Sequence, residues 1–207
     1  MNYFFMSPRR IKFNSEKITD LEMGIVVDSF KRGKVVILPT DTVYGLSALA
    51  SDQKAVRKIY ALKRRESKKP LVILMKSFCM LREYCNLNRK QYLYLKEGLK
   101  EARPLTVILK SKDGKLKHLA NEKGGLAVRI PRGSDFLIKL LKKINQPIVS
   151  TSLNISGQKE IENLENIEKI FDLKDDDLIL DGGELKNEKT SRIEDISDMK
   201  NIKVIRE

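Results

Sequence analysis

Tryptophan is absent from this 207-residue chain, histidine occurs once, as His118, and cysteine occurs twice, as Cys79 and Cys85. One histidine excludes a metal centre made of several imidazoles and a catalytic relay that needs two of them. The two cysteines have the spacing of neither a zinc ribbon nor a redox CxxC pair. We therefore expect free thiols in a reducing compartment.

Long apolar runs are missing as well. The N-terminal apolar stretch, residues 3–6, is too short for the core of a signal peptide, and no run approaches the length that crosses a bilayer. Neither GxxxxGKS/T nor GxGxxG occurs, so the commonest nucleotide-binding folds receive no support. We expect a cytoplasmic protein that does not bind membranes.

Positive charge is in excess and unevenly placed. Basic residues outnumber acidic ones by 41 to 28, a formal net charge of +13. Residues 1–110 carry 23 basic and 10 acidic side chains, whereas residues 111–207 carry 18 of each. The segment 54–69 alone contains eight basic residues and one acidic residue. This distribution predicts an anionic partner, such as a nucleotide, an RNA backbone or another polyphosphate.

Helical and strand patterns alternate along the chain, which predicts one α/β domain over residues 1–207 with a largely buried, mixed sheet. Residues 19–22 have the sequence of a capping box, and the helix that they open is predicted to stop at Gly33. Further helices are predicted from Asp52, from Ser77 to about Lys100, and from Ser134. Strands are predicted at 35–38, 71–75, 105–109, 126–130, 147–150, 177–180 and 202–205, and those at 35–38 and 71–75 are expected to be buried.

Three polar segments lie next to predicted strands, where open α/β sheets bind ligands. They are residues 39–46 (PTDTVYGL), the basic segment 54–69, and residues 150–157 (STSLNISG). Hydroxyl and amide groups present hydrogen-bond donors without net charge, and arginine and lysine suit phosphate oxygens. Each segment also has a purely structural interpretation, as a loop, a solvated helix face or a turn that caps the next helix.

These segments, together with KRR at 63–65, KPL at 69–71 and VRIP at 128–131, follow the order of the motifs of the YrdC family, which the chain resembles over residues 20–206. That family consists of threonylcarbamoyl-AMP synthases, which begin the threonylcarbamoyl-adenosine modification of tRNA. The resemblance implies a twisted, open mixed sheet flanked by helices, the YrdC-like fold, with a large, positively charged cavity. It also implies that L-threonine, bicarbonate and ATP are converted into threonylcarbamoyl-AMP and pyrophosphate.

The resemblance implies roles for individual residues. Thr42, Arg129 and Ser150 are expected to bind L-threonine, and a guanidinium can hold its carboxylate by two parallel hydrogen bonds. ATP is expected to contact Lys63, Arg65, Lys69, Ser152, Asn154, Ser191 and Arg192. No side chain is expected to act as a nucleophile, because the enzyme positions its substrates and stabilises developing charge. Mg²⁺ is expected to accompany ATP, with no protein ligand assigned to it.

The chain resembles the short form of the family, without an extra C-terminal domain. We therefore expect its product to pass to a separate tRNA-modifying threonylcarbamoyl transferase complex. Direct binding of tRNA or double-stranded RNA is left open. An alternative function is a non-catalytic RNA-binding protein of the same fold that acts in RNA or ribosome maturation. Its support is the net charge, although 6% aromatic residues provide little stacking surface.

Departures from the family pattern occur at four places. The sequence from Arg103 to Thr106 replaces a Pro-Gly-Pro-x-Thr turn, and Leu153 replaces an alanine in a crowded loop. Glu160 replaces a small residue, and Leu74 replaces a histidine that some members have. We expect a divergent but active member. A related carbamoyl-transfer catalyst of hydrogenase maturation is less well supported, because two cysteines cannot supply its cysteine-rich modules.

Overall fold

A computed structural model describes residues 8–12, 18–66, 69–174, 176–183, 185 and 190–207. Residues 3–6 and Lys68 of the basic segment lie outside the described residues. The strands are β1 (Arg9–Lys12), β2 (Val36–Pro39), β3 (Tyr44–Leu49), β4 (Ile73–Leu74), β5 (Leu105–Lys110), β6 (Gly125–Arg129), β7 (Ile148–Ser152), β8 (Leu178–Asp181), β9 (Arg192–Asp195) and β10 (Lys203–Arg206). The helices are α1 (Asp20–Lys31), α2 (Gln53–Leu62), α3 (Phe78–Tyr84), α4 (Arg89–Gly98), α5 (Asp135–Ile144) and α6 (Ile167–Ile170), with a 3₁₀ turn at Lys117–Leu119.

These ten strands form one mixed sheet in the order β1-β8-β2-β3-β7-β4-β6-β5-β9-β10. The pairs β1/β8, β2/β8, β4/β6 and β5/β9 are parallel, and the other neighbouring pairs are antiparallel. Strands β1 and β10 stand at opposite edges, so the sheet is open. The predicted open, mixed α/β sheet flanked by helices is confirmed.

Local signals explain where several helices begin. The Thr19 hydroxyl accepts the backbone N–H of Glu22, and the Glu22 carboxylate accepts the backbone N–H of Thr19, so α1 starts at the predicted capping box. Asp52 and Ser134 cap α2 and α5 by simple N-caps, in which one side-chain oxygen of each accepts backbone N–H groups of the first turn. The helix predicted from Ser77 is in fact two helices, α3 and α4, and the second has its own capping box at residues 88–91.

Strands β1, β3 and β9 were not predicted. Strand β3 follows the turn at residues 40–43 and pairs with β2 as an antiparallel hairpin, with all six of its residues buried. The sequence of β3 is YGLSAL, and Ala50 follows it. Polar and apolar residues do not alternate along this strand, because both of its sides are covered. The hydroxyl-rich segment 39–46 is therefore a strand end, a tight turn and a strand start.

The two faces of the sheet are covered to different extents. One face packs against α2, α3 and α4, with Leu46, Val107 and Val128 among its buried side chains. The other face packs against α1 and α5, whose Phe30 and Phe136 belong to a second buried cluster. Within the described residues, that second cluster contains side chains of β2, β3, β4, β7 and β8 and none of β5, β6 or β9. The two helices therefore cover half of this face and leave the other half open.

Within the described residues, no helix is long and apolar enough to cross a bilayer.

Candidate active site

A cavity of about 300 Å³, which we call the sheet cavity, lies over the open half of the sheet. Its floor consists of Ile108, Ala127, Arg129, Ser191 and Ile193, which alternate along β5, β6 and β9 with core residues that point to the opposite face. The β2–β3 turn, residues 69–72 and the end of β7 form its walls.

A larger cavity of about 1120 Å³, which we call the loop cavity, is lined by residues 39–41, 100–104 and 132–136. It adjoins the sheet cavity, since Asp41 lines the loop cavity and the next residue, Thr42, lines the sheet cavity.

Most residues predicted to bind substrates meet at the sheet cavity. Those that line it are Thr42, Arg65, Lys69, Arg129, Ser150, Ser152 and Ser191. Lys63, Asn154 and Arg192 are not among the lining residues. The sites expected for L-threonine and for ATP are thus parts of one cavity. The ligand contacts of individual residues stay predictions.

The turn between β2 and β3 holds Thr42 in place. The Thr40 hydroxyl donates to the Val43 carbonyl (2.7 Å) and accepts the backbone N–H of Thr42 (3.1 Å). The hydroxyl oxygens of Thr40 and Thr42 are 3.0 Å apart. Such side-chain bonds to nearby backbone replace ladder bonds in tight turns. The Thr42 side chain is therefore fixed at the cavity wall.

Ser150 depends on a glycine in the neighbouring strand. Its hydroxyl oxygen accepts a hydrogen bond from the Ser47 hydroxyl (2.9 Å), and both side chains are buried. A Cβ atom at Gly45 would lie 2.4 Å from the Ser150 hydroxyl oxygen, closer than real Cβ contacts. The absence of a side chain at position 45 leaves room for a hydroxyl that faces the cavity.

We expect Gly45→Ala to weaken L-threonine binding, because Ser150 must leave its position. The loss of one hydrogen bond corresponds to about 0.5–1.5 kcal/mol of binding free energy. Isothermal titration calorimetry with L-threonine measures the effect. Gly24→Ala is the matched control, because a Cβ at this position in α1 meets nothing within 4 Å. Unchanged threonine affinity in Gly45→Ala would contradict the role given to Ser150.

Arg129 forms a buried ion pair at the boundary of the two cavities. Its Nη2 atom lies 3.0 Å from Oδ1 of Asp41, and the two side chains are 6% and 2% exposed. Burial lowers the pKa of Arg129, and the Asp41 carboxylate opposes this effect. Within the described residues, the buried Nε atom of Arg129 has no hydrogen-bond partner. Buried donors without partners are rare, and a binding role is one explanation for them.

Arg65 and Arg206 add two further guanidinium groups. Arg65 donates to the carbonyl oxygens of Lys69 (3.2 Å) and Pro70 (3.1 Å). Arg206 donates to the Ser191 carbonyl (3.0 and 2.7 Å) and to the Ser191 hydroxyl (3.2 Å). Neither forms an ion pair with a carboxylate in the part of the chain that the structure describes. The cavity therefore carries positive charge that is not neutralised at close range.

The pKa values of both guanidinium groups are lowered, and burial is the largest cause. Burial lowers the pKa of Arg65. Burial also lowers the pKa of Arg206, and the guanidinium groups of Arg129, Arg103 and Arg65 lower it further, whereas Glu160 raises it. Arg206 was not predicted from the sequence. The one signal was a basic residue directly after the strand predicted at 202–205.

Lys63 and Asn154 support the loop that follows β7. The Lys63 ammonium donates to the Asn154 carbonyl (2.9 Å) and to Oδ1 of its side chain (2.6 Å), and contacts the Ser152 carbonyl. The Ser152 hydroxyl donates to the same Oδ1 atom (2.8 Å), and Nδ2 of Asn154 donates to the Gln158 carbonyl (2.6 Å). These bonds hold Ser152 at the cavity. Burial lowers the pKa of Lys63 to about 8.

We expect this pKa to make stability depend on pH. Lys63 has a lower pKa in the folded protein, about 8, than its ordinary value of 10.5. Between about pH 8 and pH 10 the unfolded chain therefore binds more protons, so the free energy of unfolding due to this group rises with pH. Urea denaturation of wild type and Lys63→Met across this range should show wild type gaining stability relative to the variant. Lys54→Met, at an exposed position, is the control, and a pH-independent difference for Lys63→Met contradicts the lowered pKa.

Arg192 lies on the opposite side of β9 from the cavity. Alternation along the strand directs Ser191 and Ile193 towards the sheet cavity, and it directs Arg192 and Glu194 towards α4. Arg192 forms ion pairs with Glu101 (3.0 Å) and Glu194 (2.8 Å). Its predicted contact with ATP remains a prediction without support from its position.

The departures from the family pattern lie in different surroundings. Leu153 and Leu74 are fully buried in the two hydrophobic clusters, so the larger side chain at position 153 does not obstruct the cavity. Glu160 is near enough to Lys63 for its carboxylate to oppose the lowering of the Lys63 pKa by burial. Arg103 lines the loop cavity.

The model of one protein family, Sua5/YciO/YrdC, described as telomere recombination, matches residues 28–207. The chain belongs to the Sua5/YciO/YrdC family. A Methanocaldococcus jannaschii relative, provisionally assigned as a threonylcarbamoyl-AMP synthase, is 38% identical over 172 residues, which are 83% of this chain and 79% of that protein. The threonylcarbamoyl-AMP synthase of Pyrococcus abyssi is 30% identical over 183 residues, 88% of this chain and 53% of that protein.

A solved structure of the same family agrees with the fold. The crystal structure of Pyrococcus abyssi Sua5 complexed with L-threonine matches with a TM-score of 0.78 and 26% identity. The match covers 93% of this chain and 55% of that one. This Sua5/YciO/YrdC chain therefore spans about half the length of the Pyrococcus protein.

Proposed function

We propose that this protein is a threonylcarbamoyl-AMP synthase, an adenylyl-transferring enzyme that makes threonylcarbamoyl-AMP and pyrophosphate from L-threonine, bicarbonate and ATP. The observation that carries the proposal is the composition of the sheet cavity. Hydroxyl groups and a buried guanidinium lie beside guanidinium groups that have no carboxylate partner within the described residues. The name of the Pyrococcus abyssi relative and the L-threonine in the Sua5 crystal structure support it.

L-threonine is proposed to bind at the Arg129 side of the cavity. The Nε atom of Arg129, which has no hydrogen-bond partner within the described residues, donates to the substrate carboxylate, and Asp41 keeps the guanidinium oriented through the ion pair. The hydroxyls of Thr42 and Ser150 lie at the same cavity and suit the substrate hydroxyl and amine. A site that hydrogen-bonds a substrate hydroxyl rejects analogues that lack it by about 10⁴–10⁵.

ATP is proposed to bind against Arg65, Lys69 and Arg206. Carbonyl partners fix the guanidinium groups of Arg65 and Arg206 without neutralising them, so their charge remains available to phosphate oxygens. Lys69 has a long ion pair with Glu66 (3.9 Å). Ser152 and Ser191 add neutral donors in the same cavity. The apolar floor, with Ile108 and Ala127, suits a nucleoside ring next to these polar groups.

The chemistry follows from bringing the two substrates together. The threonine amine captures bicarbonate to form a carbamate and water, and a carbamate oxygen attacks the α-phosphorus while the bond to the β-phosphate breaks. Pyrophosphate leaves with the bonding electrons. The protein positions the reactants and spreads the negative charge over its guanidinium groups, so it needs no side-chain nucleophile. Mg²⁺ would neutralise phosphate charge, and phosphate oxygens are its usual ligands.

The proposed product, threonylcarbamoyl-AMP, is an activated intermediate for tRNA modification. The product would be passed to a tRNA-modifying threonylcarbamoyl transferase complex in the cytoplasm. The alternative of an RNA-binding protein without catalysis receives less support, since the sheet cavity is lined by threonine and serine hydroxyls and by Arg129, whose charge is already paired with the buried Asp41. Direct tRNA or double-stranded RNA binding stays a prediction.

The deciding experiment is release of pyrophosphate by the purified protein with ATP, Mg²⁺, bicarbonate and L-threonine. We expect release that requires every substrate and that falls sharply when L-valine replaces L-threonine, because valine lacks the hydroxyl. Mass spectrometry of the product identifies the adenylate. Absence of release from a folded protein that binds double-stranded RNA would favour the alternative.

Arg65 provides a second test. We expect Arg65→Ala to weaken ATP binding by the contribution of one charged hydrogen bond, about 1.5–3 kcal/mol, and to leave L-threonine binding unchanged. Arg57→Ala is the matched control, because Arg57 is exposed on α2 and does not line either cavity. Calorimetry that gives Arg65→Ala the ATP affinity of Arg57→Ala would overturn the assigned phosphate contact.

A further inference from the structure

The boundary between the two cavities carries a guanidinium group that the resemblance does not assign to either substrate. Arg103 lines the loop cavity and is half-buried. Its Nε atom donates to the Thr190 carbonyl (3.1 Å), and Thr190 lines the sheet cavity. Arg103 therefore stands where the two cavities meet. It is also one of the positions at which the chain departs from the family pattern.

A second guanidinium group is bound next to it. Arg206 donates to the carbonyl of Ser191, the residue that follows Thr190. Two guanidinium groups thus hold carbonyl oxygens of consecutive residues. Within the described residues, neither group forms an ion pair with a carboxylate. Like charges held side by side repel, so this arrangement favours an anion that contacts both.

The required anion has more than one negative charge. Arg65, Lys69 and Arg206 line the sheet cavity, so positive charge extends from that cavity to Arg103. Of these, Lys69 has a long ion pair with Glu66 (3.9 Å). Arg129 has its own counter-charge in Asp41, and Glu101 of the loop cavity is paired with Arg192. A single carboxylate would neutralise only one of the remaining groups, whereas a chain of phosphates can contact several in succession.

We infer that Arg103 binds the pyrophosphate part of ATP and holds it as it leaves. The inference rests on the proposed function, in which the sheet cavity binds the nucleotide. The adenylate part stays over the sheet, and the β- and γ-phosphates lie at the boundary, with the loop cavity of about 1120 Å³ beyond them. Arg103 contacts only the β- and γ-phosphates, which leave as pyrophosphate.

The test is a set of calorimetric titrations of wild type and Arg103→Ala with pyrophosphate, ATP, AMP and L-threonine. We expect the variant to bind pyrophosphate and ATP about ten-fold more weakly or worse, as for loss of a charged hydrogen bond. AMP and L-threonine should bind within about twofold of wild type, because they lack the β- and γ-phosphates. Arg57→Ala, exposed on α2, should match wild type with all four ligands.

Two conservative variants separate charge from support of the backbone. Arg103→Gln can keep a donor for the Thr190 carbonyl but has no charge, and we expect it to behave as Arg103→Ala does. Arg103→Lys keeps the charge and should recover part of the pyrophosphate affinity. If Arg103→Gln binds pyrophosphate as wild type does, or if AMP binding falls as much as ATP binding, the residue acts on the fold and the inference is wrong.

Failure of this inference and failure of the proposed function give different results. Pyrophosphate binding needs no reaction, so a wild-type protein that binds pyrophosphate and ATP through Arg103 but forms no adenylate overturns the proposed function alone. A wild-type protein that forms the adenylate, with Arg103→Ala binding pyrophosphate equally tightly, overturns the inference alone.

Discussion

The site depends on the incomplete cover of one sheet face. Helices α1 and α5 pack over β2, β8 and their neighbours, and their buried side chains reach no further than β4 within the described residues. Strands β5, β6 and β9 keep their other face covered by α4 and its neighbours, so they remain stable members of the sheet. Their open face can therefore carry polar and charged groups. Ser191, Arg129 and the residues around them occupy a surface that would otherwise be hydrophobic core.

Positive charge on this open face is maintained by neutral partners. Arg65 and Arg206 donate to carbonyl and hydroxyl oxygens, which hold the guanidinium groups in position and leave their charge in place. Arg129 is different, since it is almost fully buried and has Asp41 as a partner. A buried charge without a counter-charge costs far more than an exposed one. Arg129 is therefore suited to a single carboxylate, whereas Arg65 and Arg206 are suited to a chain of phosphates.

The motif residues of the sequence divide into those that face the cavity and those that hold it in shape. Ser152 and Asn154 are two residues apart, yet Asn154 is used to receive Lys63 and Ser152 hydrogen bonds behind the wall. Ser191 and Arg192 are adjacent, yet strand alternation places them on opposite faces. Sequence motifs mark all of these positions equally, because they record which residues are needed and not which way they point.

Sequence alone was sufficient for the α/β class, the capping box of α1, most of the strands and the excess of positive charge, because those features depend on residues near one another in the chain. Through ordered motifs it also identified seven of the residues that line the sheet cavity, and their contacts with substrates stay predictions. Strand β3, the requirement for Gly45 and the positions of Arg206 and Arg103 were decided by the tertiary structure. Each of them depends on a neighbour distant in sequence: β7 beside β3, Ser150 facing Gly45, and two consecutive carbonyls that receive guanidinium groups from separate segments. Periodicity and spacing carry no information about such pairs, because packing across the sheet creates them.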